Sequence, residues 1–331
     1  MGEYPVTRSQ DRLVCVVVTY NRLEKLKVTI RHLLENRAYL TALLVIDNAS
    51  DDGTSAWLEQ QSDPLLRVIH SKTNLGGAGG FELGMRRAQE LFDPDWLLIM
   101  DDDAWPDAGA LAQFHSANKT GIAAIAAAVY MPDGSICEMN RPSRNPFWQN
   151  DAFWGALTRG RAGFHLPDAA YGGAPVDVDV SSFVGFFISR AGLVSAGLPN
   201  PNLFLYGDDA IYTLGLRARG ERLSFRPDIR FIHDSSTFAK GERRFRPLWK
   251  AYYYQRNLLI LYRMAAGWLF WPVLLVILPR WLARTGAHRG ERRAFLRLTL
   301  AAIRHGLSRS TRLSHQEVCA LARPQASKIS R

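Results

Sequence analysis

Two hydrophobic periods alternate along the first hundred residues. Leu13-Val14-Cys15-Val16-Val17-Val18-Thr19, Ala42-Leu43-Leu44-Val45-Ile46, Leu66-Arg67-Val68-Ile69-His70 and Trp96-Leu97-Leu98-Ile99-Met100 are short apolar runs with little polar alternation. Such runs predict strands buried on both faces. Between them, Asn21 to Leu34 carries Leu23, Leu26, Ile30 and Leu33 at three- and four-residue spacing, which predicts a helix. Thr54 to Gln61 predicts a short helix, Asn74-Leu75-Gly76-Gly77-Ala78-Gly79-Gly80 a loop, and Phe81 to Leu91 a further helix. Strand and helix in this rhythm predict an α/β fold with a mostly parallel sheet and flanking helices.

The second half is less regular. Gly121 to Tyr130 is small and apolar, and Asn140 to Gly173, rich in Trp, Phe, Pro, Gly and Arg, reads as loops. Val176, Val178 and Val180 alternate with Asp177 and Asp179, and Phe183 to Ile188 reads as a strand. Leu205-Tyr206-Gly207-Asp208-Asp209-Ala210 opens a helix running to about Arg219, and Arg230-Phe231-Ile232-His233-Asp234 ends a strand. Met264 to Pro279 then gives 16 uncharged residues between Arg263 and Arg280. A spanning helix needs about 20 apolar residues. This shorter run, with an internal proline and two tryptophans, fits a helix lying in a membrane interface.

Charge sharpens that reading. Arg280 to Arg331 holds 12 Lys/Arg against 2 Asp/Glu, so this stretch carries the whole net charge of +10 and residues 1–279 balance. A basic stretch after an interfacial helix suits an anionic membrane surface. The tail lacks the aromatic and basic interleaving of a nucleic-acid binder. The sequence therefore divides into a domain over 1–245 and a helical, basic, membrane-associating region over 246–331. Met1 to Arg12 has no signal-peptide apolar segment, which places the protein at the cytoplasmic face by default. The three cysteines form no CxxC pair and suggest neither a zinc site nor a disulfide framework.

Candidate chemistry gathers where the predicted strands end. Functional loops of such folds lie at the C-terminal ends of strands. Those ends carry Thr19-Tyr20-Asn21-Arg22, Asp47-Asn48, the glycine loop and Asp101-Asp102-Asp103. Three adjacent carboxylates call for a positive partner, and hard oxygen ligands favour Mg²⁺ or Mn²⁺. Such an ion would bind two phosphate oxygens of a diphosphate and act as a Lewis acid. Asp47 is suited to accept hydrogen bonds from a nucleobase or ribose, and amides of the glycine loop to meet a diphosphate. Asp208 and Asp209 stand at a helix start, where one can serve as a general base and both favour the helix dipole. His233, at a distant strand end, is a candidate further metal ligand. A nucleotidyltransferase would be expected to place a Lys or Arg in the glycine loop, which has neither; a membrane adaptor would have no need of these carboxylates.

Val16 to Arg22, Ile46 to Thr54, Asn74 to Phe81 and Met100 to Ala104 occur in an order and spacing that resemble family 2 glycosyltransferases of the GT-A (Rossmann-like) fold, over about residues 12 to 240. The triple aspartate and the Gly-Gly-Ala-Gly-Gly-Phe loop are similar to galactofuranosyltransferases of cell-wall and surface-polysaccharide synthesis. Rhamnosyltransferases using dTDP-rhamnose share much of the pattern. The resemblance implies a nucleotide-sugar donor contacted by Thr19, Tyr20, Asn21, Arg22, Asp47, Asn74, Gly76, Gly77, Gly79, Gly80 and Asp101, with Asp102 near the donor sugar. It implies a metal held by Asp101, Asp103 and His233, and Asp209 as catalytic base with Asp208 on a glycan or lipid-linked glycan acceptor. Larger polymerising relatives have a C-terminal domain of which this chain has little, so addition of one or a few sugars is expected.

Overall fold

The computed structural model describes residues 10–235 and 244–323. The N-terminal residues before Gln10 and the last residues of the basic tail, 324–331, lie outside them. The chain opens with β1 (Leu13–Thr19), α1 (Leu23–Glu35), β2 (Ala42–Asp47), α2 (Thr54–Glu59), β3 (Leu66–His70), α3 (Gly76–Phe92) and β4 (Trp96–Asp101). Then come β5 (Ala104–Pro106), α4 (Ala110–Ser116), β6 (Ala124–Tyr130), α5 (Asn150–Arg159), β7 (Val176–Asp177) and β8 (Phe186–Ser189). The remaining elements are α6 (Arg190–Ala196), α7 (Asp208–Ala218), β9 (Leu223–His233), α8 (Lys250–Ala266), α9 (Phe270–Ala283), α10 (Arg292–Leu307) and α11 (His315–Ala322).

One sheet runs β3-β2-β1-β4-β8-β6-β9-β5, with β7 added against β9. β1 to β4 pair in parallel; β8 lies antiparallel between β4 and β6, and β6 pairs in parallel with β9. β1 shows why the apolar runs are continuous: Leu13, Cys15 and Val17 enter one buried cluster, and Val14, Val16 and Val18 enter the other. Each fully buried aliphatic side chain contributes roughly 1.5–3 kcal/mol. The three-residue β5 pairs Ala104 with His233, which carries the end of β9 to the end of β4.

Two sequence expectations change here. The glycine segment is not a loop before a helix; it is the first turn and a half of α3, which starts at Gly76. A Cβ on Gly80 would lie 2.4 Å from Val18 Cγ1, and one on Gly84 2.4 Å from Val16 Cγ1. The glycines let the helix settle closely on β1. The second change is α5, a ten-residue helix inside the stretch expected to be loops.

The C-terminal part is helical. Lys250–Ala287 forms a 38-residue stretch long and apolar enough to cross a membrane by length and composition. It therefore begins well before Met264, and Gly267, at φ +54°, divides it into α8 and α9. α8 is clasped by α10 and α11 through Tyr252, Tyr253, Phe295, Leu298 and Val318. α9 is different: Trp268 just before it (78% exposed), Trp271 (58%), Leu275 (78%), Val276 and Leu282 stand in solvent. Arg280 and Arg284 at its end are also exposed.

Candidate active site

The aspartate triplet sits at the β4–β5 turn. Asp101 closes β4, and Asp103 precedes the strand that pairs with β9. That pairing sets Asp103 Oδ1 3.1 Å from His233 Nε2, and the Asp234 amide donates to the Asp103 carbonyl at 2.9 Å. Asp101, Asp103 and His233 each offer a ligand atom, all within 4.8 Å of one another. The donor set, two hard carboxylates and an imidazole, suits a divalent cation. The spacing suits it too: octahedral bonds of about 2.1 Å hold adjacent ligands about 3.0 Å apart.

Charge at this corner is concentrated. Burial, then repulsion from Asp103, pushes Asp101 up to about 7. Burial opposes ionisation of Asp103 as well, but His233 and Arg22 prevail and hold it below the usual carboxylate range. Burial disfavours the His233 imidazolium, yet the hydrogen bond and charge of Asp103 push it up to about 10. A cation in the cluster would replace the proton that His233 and Asp103 share.

Asp102 points the other way. Its carboxylate is buried, accepts from Thr19 Oγ1 at 2.6 Å and pairs with Arg22 at 3.0 Å, while Thr29 binds its carbonyl at 2.8 Å. Burial pushes it up to about 6. Asp102 thus ties β4 to the end of β1. Arg22 also pairs with Asp103 Oδ2 at 2.7 Å, so one guanidinium braces both carboxylates.

At the ends of β1 and β2 the expected donor-binding residues bond to one another. Asp47 is fully buried at the end of β2, accepting from the Ser50 amide at 3.1 Å, from Ser55 Oγ, and bonded to His70 Nδ1 at 2.9 Å. Burial opposes its ionisation, but these bonds hold it below the ordinary range. The half-exposed His70 covers it. Asn21 bonds Asp51 at 2.6 Å and the Ser50 hydroxyl at 2.9 Å, stapling the β1 and β2 loops, and Tyr20 is exposed. Asn48 and Asn74 hold the start of α3: the Leu75 amide donates to Asn48 at 2.9 Å and the Gly76 amide to Asn74 at 2.8 Å. The Ala78 amide donates to the Phe204 carbonyl at 3.2 Å. The amides of Leu75, Gly76 and Ala78 thus bond within the protein, and Gly76, Gly79 and Gly80 are buried. A Cβ on Gly76 would strike the Phe204 carbonyl, whereas Gly77 has open space beside it.

Asp208 and Asp209 begin α7 after Gly207 at φ +71°. The preceding turn holds Phe204 and Tyr206 in the left-handed region, a conformation that persists only when its surroundings fix it. Asn257 of α8 does so, donating to the carbonyls of Leu203, Leu205 and Tyr206 at 2.8 to 3.1 Å. Burial, then the charge of Asp209, pushes Asp208 up to about 8, and the charge of Asp101 adds to the rise. Burial pushes Asp209 up to about 6. Two adjacent carboxyls raised in this way are candidates for acid–base work.

Sequence reasoning missed the bracing by Arg22, the His70 cover of Asp47 and the Asn257 clamp. The four-residue spacing of Gly76, Gly80 and Gly84 was the available signal for helix packing.

A curled sheet with carboxylates and a histidine at its strand ends, flanked by helices, is the GT-A architecture. The chain belongs to glycosyl transferase family 2, whose model matches residues 14–182. Among curated relatives, a galactofuranosyltransferase of Mycolicibacterium smegmatis is 30% identical over 205 residues, 61% of this chain and 64% of that protein. An undecaprenyl-phosphate mannosyltransferase of Micrococcus luteus is 35% identical over 98 residues, 28% of this chain and 38% of that one. The chain thus spans less than two thirds of these relatives. Similar solved structures include S. aureus TarS 1–349 in complex with UDP-GlcNAc (TM-score 0.53, 14% identity, covering 94% of this chain and 83% of that one). A mannosyltransferase from Pyrobaculum calidifontis in complex with GDP-Man and Mn²⁺ gives a TM-score of 0.51 at 19% identity, over 95% of this chain and 79% of that one.

Proposed function

We propose that this chain is a metal-dependent, inverting glycosyltransferase that moves galactofuranose from UDP-galactofuranose to a lipid-linked saccharide in cell-surface polysaccharide synthesis. The observation that carries this reading is the Asp101, Asp103 and His233 cluster, with ligand atoms all within 4.8 Å of one another. The galactofuranosyltransferase relative supports the donor, and the relative acting on undecaprenyl phosphate supports a lipid-linked acceptor.

Asp101, Asp103 and His233 would hold Mn²⁺ or Mg²⁺. When bound, that ion neutralises the donor diphosphate and eases its departure. The ends of β1 and β2 form the nucleoside wall, with Asp47 beneath it. Asp209 takes the proton from an acceptor hydroxyl. That oxygen bonds to the anomeric carbon from the face opposite the diphosphate, the bond from that carbon to the phosphate oxygen breaks, and configuration inverts. Asp208, protonated at neutral pH, donates to the acceptor without adding a second negative charge. The division at residue 245 separates this catalytic unit from a C-terminal region that lies on the cytoplasmic face of the membrane through α9.

A panel of nucleotide sugars with Mn²⁺, read as release of the nucleoside diphosphate, tests the reading. UDP-galactofuranose is the expected donor. Preference for dTDP-rhamnose would make the enzyme a rhamnosyltransferase, and turnover undiminished by EDTA would overturn the metal-dependent mechanism.

A further inference from the structure

His233 has two ring nitrogens, and a different partner faces each. Nε2 lies 3.1 Å from Asp103 Oδ1, on the side of the metal cluster. Nδ1 lies 2.6 Å from Asn140 Oδ1 on the other side, with Cys137 Sγ further off at 3.8 Å. Asn140 is itself buried and constrained. Its Nδ2 donates to Ser182 Oγ at 2.9 Å, the Cys137 thiol donates into Oδ1 at 3.0 Å, and its backbone amide donates to the Cys137 carbonyl at 3.0 Å. The Cys137 thiol donating into Oδ1 marks the oxygen as the end turned to the ring, with the amide nitrogen left to Ser182, and an amide oxygen only accepts. Nδ1 must then carry a proton. A neutral imidazole protonated on Nδ1 keeps its lone pair on Nε2, the nitrogen that faces Asp103.

We propose that Asn140 is a positioning residue that fixes His233 in the Nδ1–H form and aims Nε2 at the cation. The proposal rests on reading Asp101, Asp103 and His233 as the metal site. Asn140 does not touch the ion; it acts through the ring, as outer partners of metal-bound histidines do.

The test titrates the full chain with Mn²⁺ alone and reads free Mn²⁺ by electron paramagnetic resonance, without donor or turnover. Asn140→Leu removes the acceptor at similar size and is expected to weaken Mn²⁺ binding by roughly 10–100-fold. Asn140→Asp restores an acceptor and is expected to bind within several-fold of the parent. ¹⁵N-histidine resonances of the unaltered, Mg²⁺-loaded protein are expected to show the His233 proton on Nδ1; this measurement decides the matter even if a variant fails to fold. Parent-like Mn²⁺ affinity in a folded Asn140→Leu protein, or a proton found on Nε2, overturns this inference alone. A parent protein that binds no Mn²⁺ overturns both it and the metal site.

Discussion

Asp209 and Asp208 are adjacent carboxyls whose environments give them different jobs. Asp209, raised to about 6, is ionised near neutral pH and available as a base. Asp209→Asn should lower the rate of transfer by roughly 10²–10⁴-fold. In the parent, the rate should fall about tenfold per pH unit below about 6, as the base is protonated. A pH–rate profile with saturating substrates checks both. Asp208 carries the opposite consequence for stability. Its folded value, about 8, lies above the ordinary carboxyl value. Ionising it costs more in the folded protein than in the unfolded chain, so stability is lost as pH rises from the ordinary value through about 8. Asp208→Asn removes that cost. Thermal melts should show the variant melting a few degrees above the parent at about pH 9, with the difference closing at about pH 3–4. A site that pairs buried acids for chemistry is a place where the native residue is not the most stable one.

At the scale of elements, the start of α3 separates packing from binding. Gly80→Ala brings a methyl 2.4 Å from Val18 Cγ1 and should destabilise by about 1–3 kcal/mol. Gly77→Ala meets nothing within 4 Å and should leave stability unchanged or raise it by up to about 1 kcal/mol, since alanine is the better helix former. Denaturant melts of the two variants check the contrast; equal destabilisation would contradict packing as the glycines' main role. The same helix shows what the sequence could and could not reveal. β1 to β4 were legible because parallel strands covered on both faces need uninterrupted apolar runs. The start of α3 was hidden because glycine marks turns locally, and only the distant Val16 and Val18 give these glycines a reason to be helical. α5 was hidden in the same way: Gly155 sits against the Gly163 carbonyl, a contact with no local signature. β5 has three residues and no period, yet it delivers His233. The acidic residues of the site announced themselves by composition. Their partners did not, because the contacts of Arg22 with Asp103 and of Asn140 with His233 join residues 81 and 93 positions apart.

At the scale of the whole molecule, the residue that clamps the Leu203–Tyr206 turn and the exposed apolar face share one helical stretch. Asn257 on α8 holds the Leu203–Tyr206 turn, and α9 follows after Gly267 with Trp271 and Leu275 in solvent. A helix of 14 residues at about 1.5 Å each is about 21 Å long, short of a hydrocarbon core of about 30 Å. Its exposed Trp271, with Trp268 just before it, and its terminal arginines suit the boundary between headgroups and acyl chains. Deleting everything after Met264 would be a poor test of membrane binding. It would also strip α10 from Tyr252 and Tyr253 and so loosen the helix that clamps the catalytic turn. The sharper test places charges on the exposed face alone. Trp271→Glu with Leu275→Glu should abolish sedimentation with phosphatidylglycerol vesicles while the melting temperature stays within a few degrees of the parent. Binding of the parent should weaken as salt rises, because the basic residues after Arg280 supply the electrostatic share, about 1 kcal/mol for each Lys or Arg near the surface. Release of nucleoside diphosphate by hydrolysis of free donor should persist in the double variant, because both side chains stand in solvent and neither belongs to the Asp101, Asp103 and His233 cluster. Transfer to a vesicle-embedded acceptor should fall with vesicle binding. A double variant that still sediments with the vesicles would remove α9 as the membrane contact.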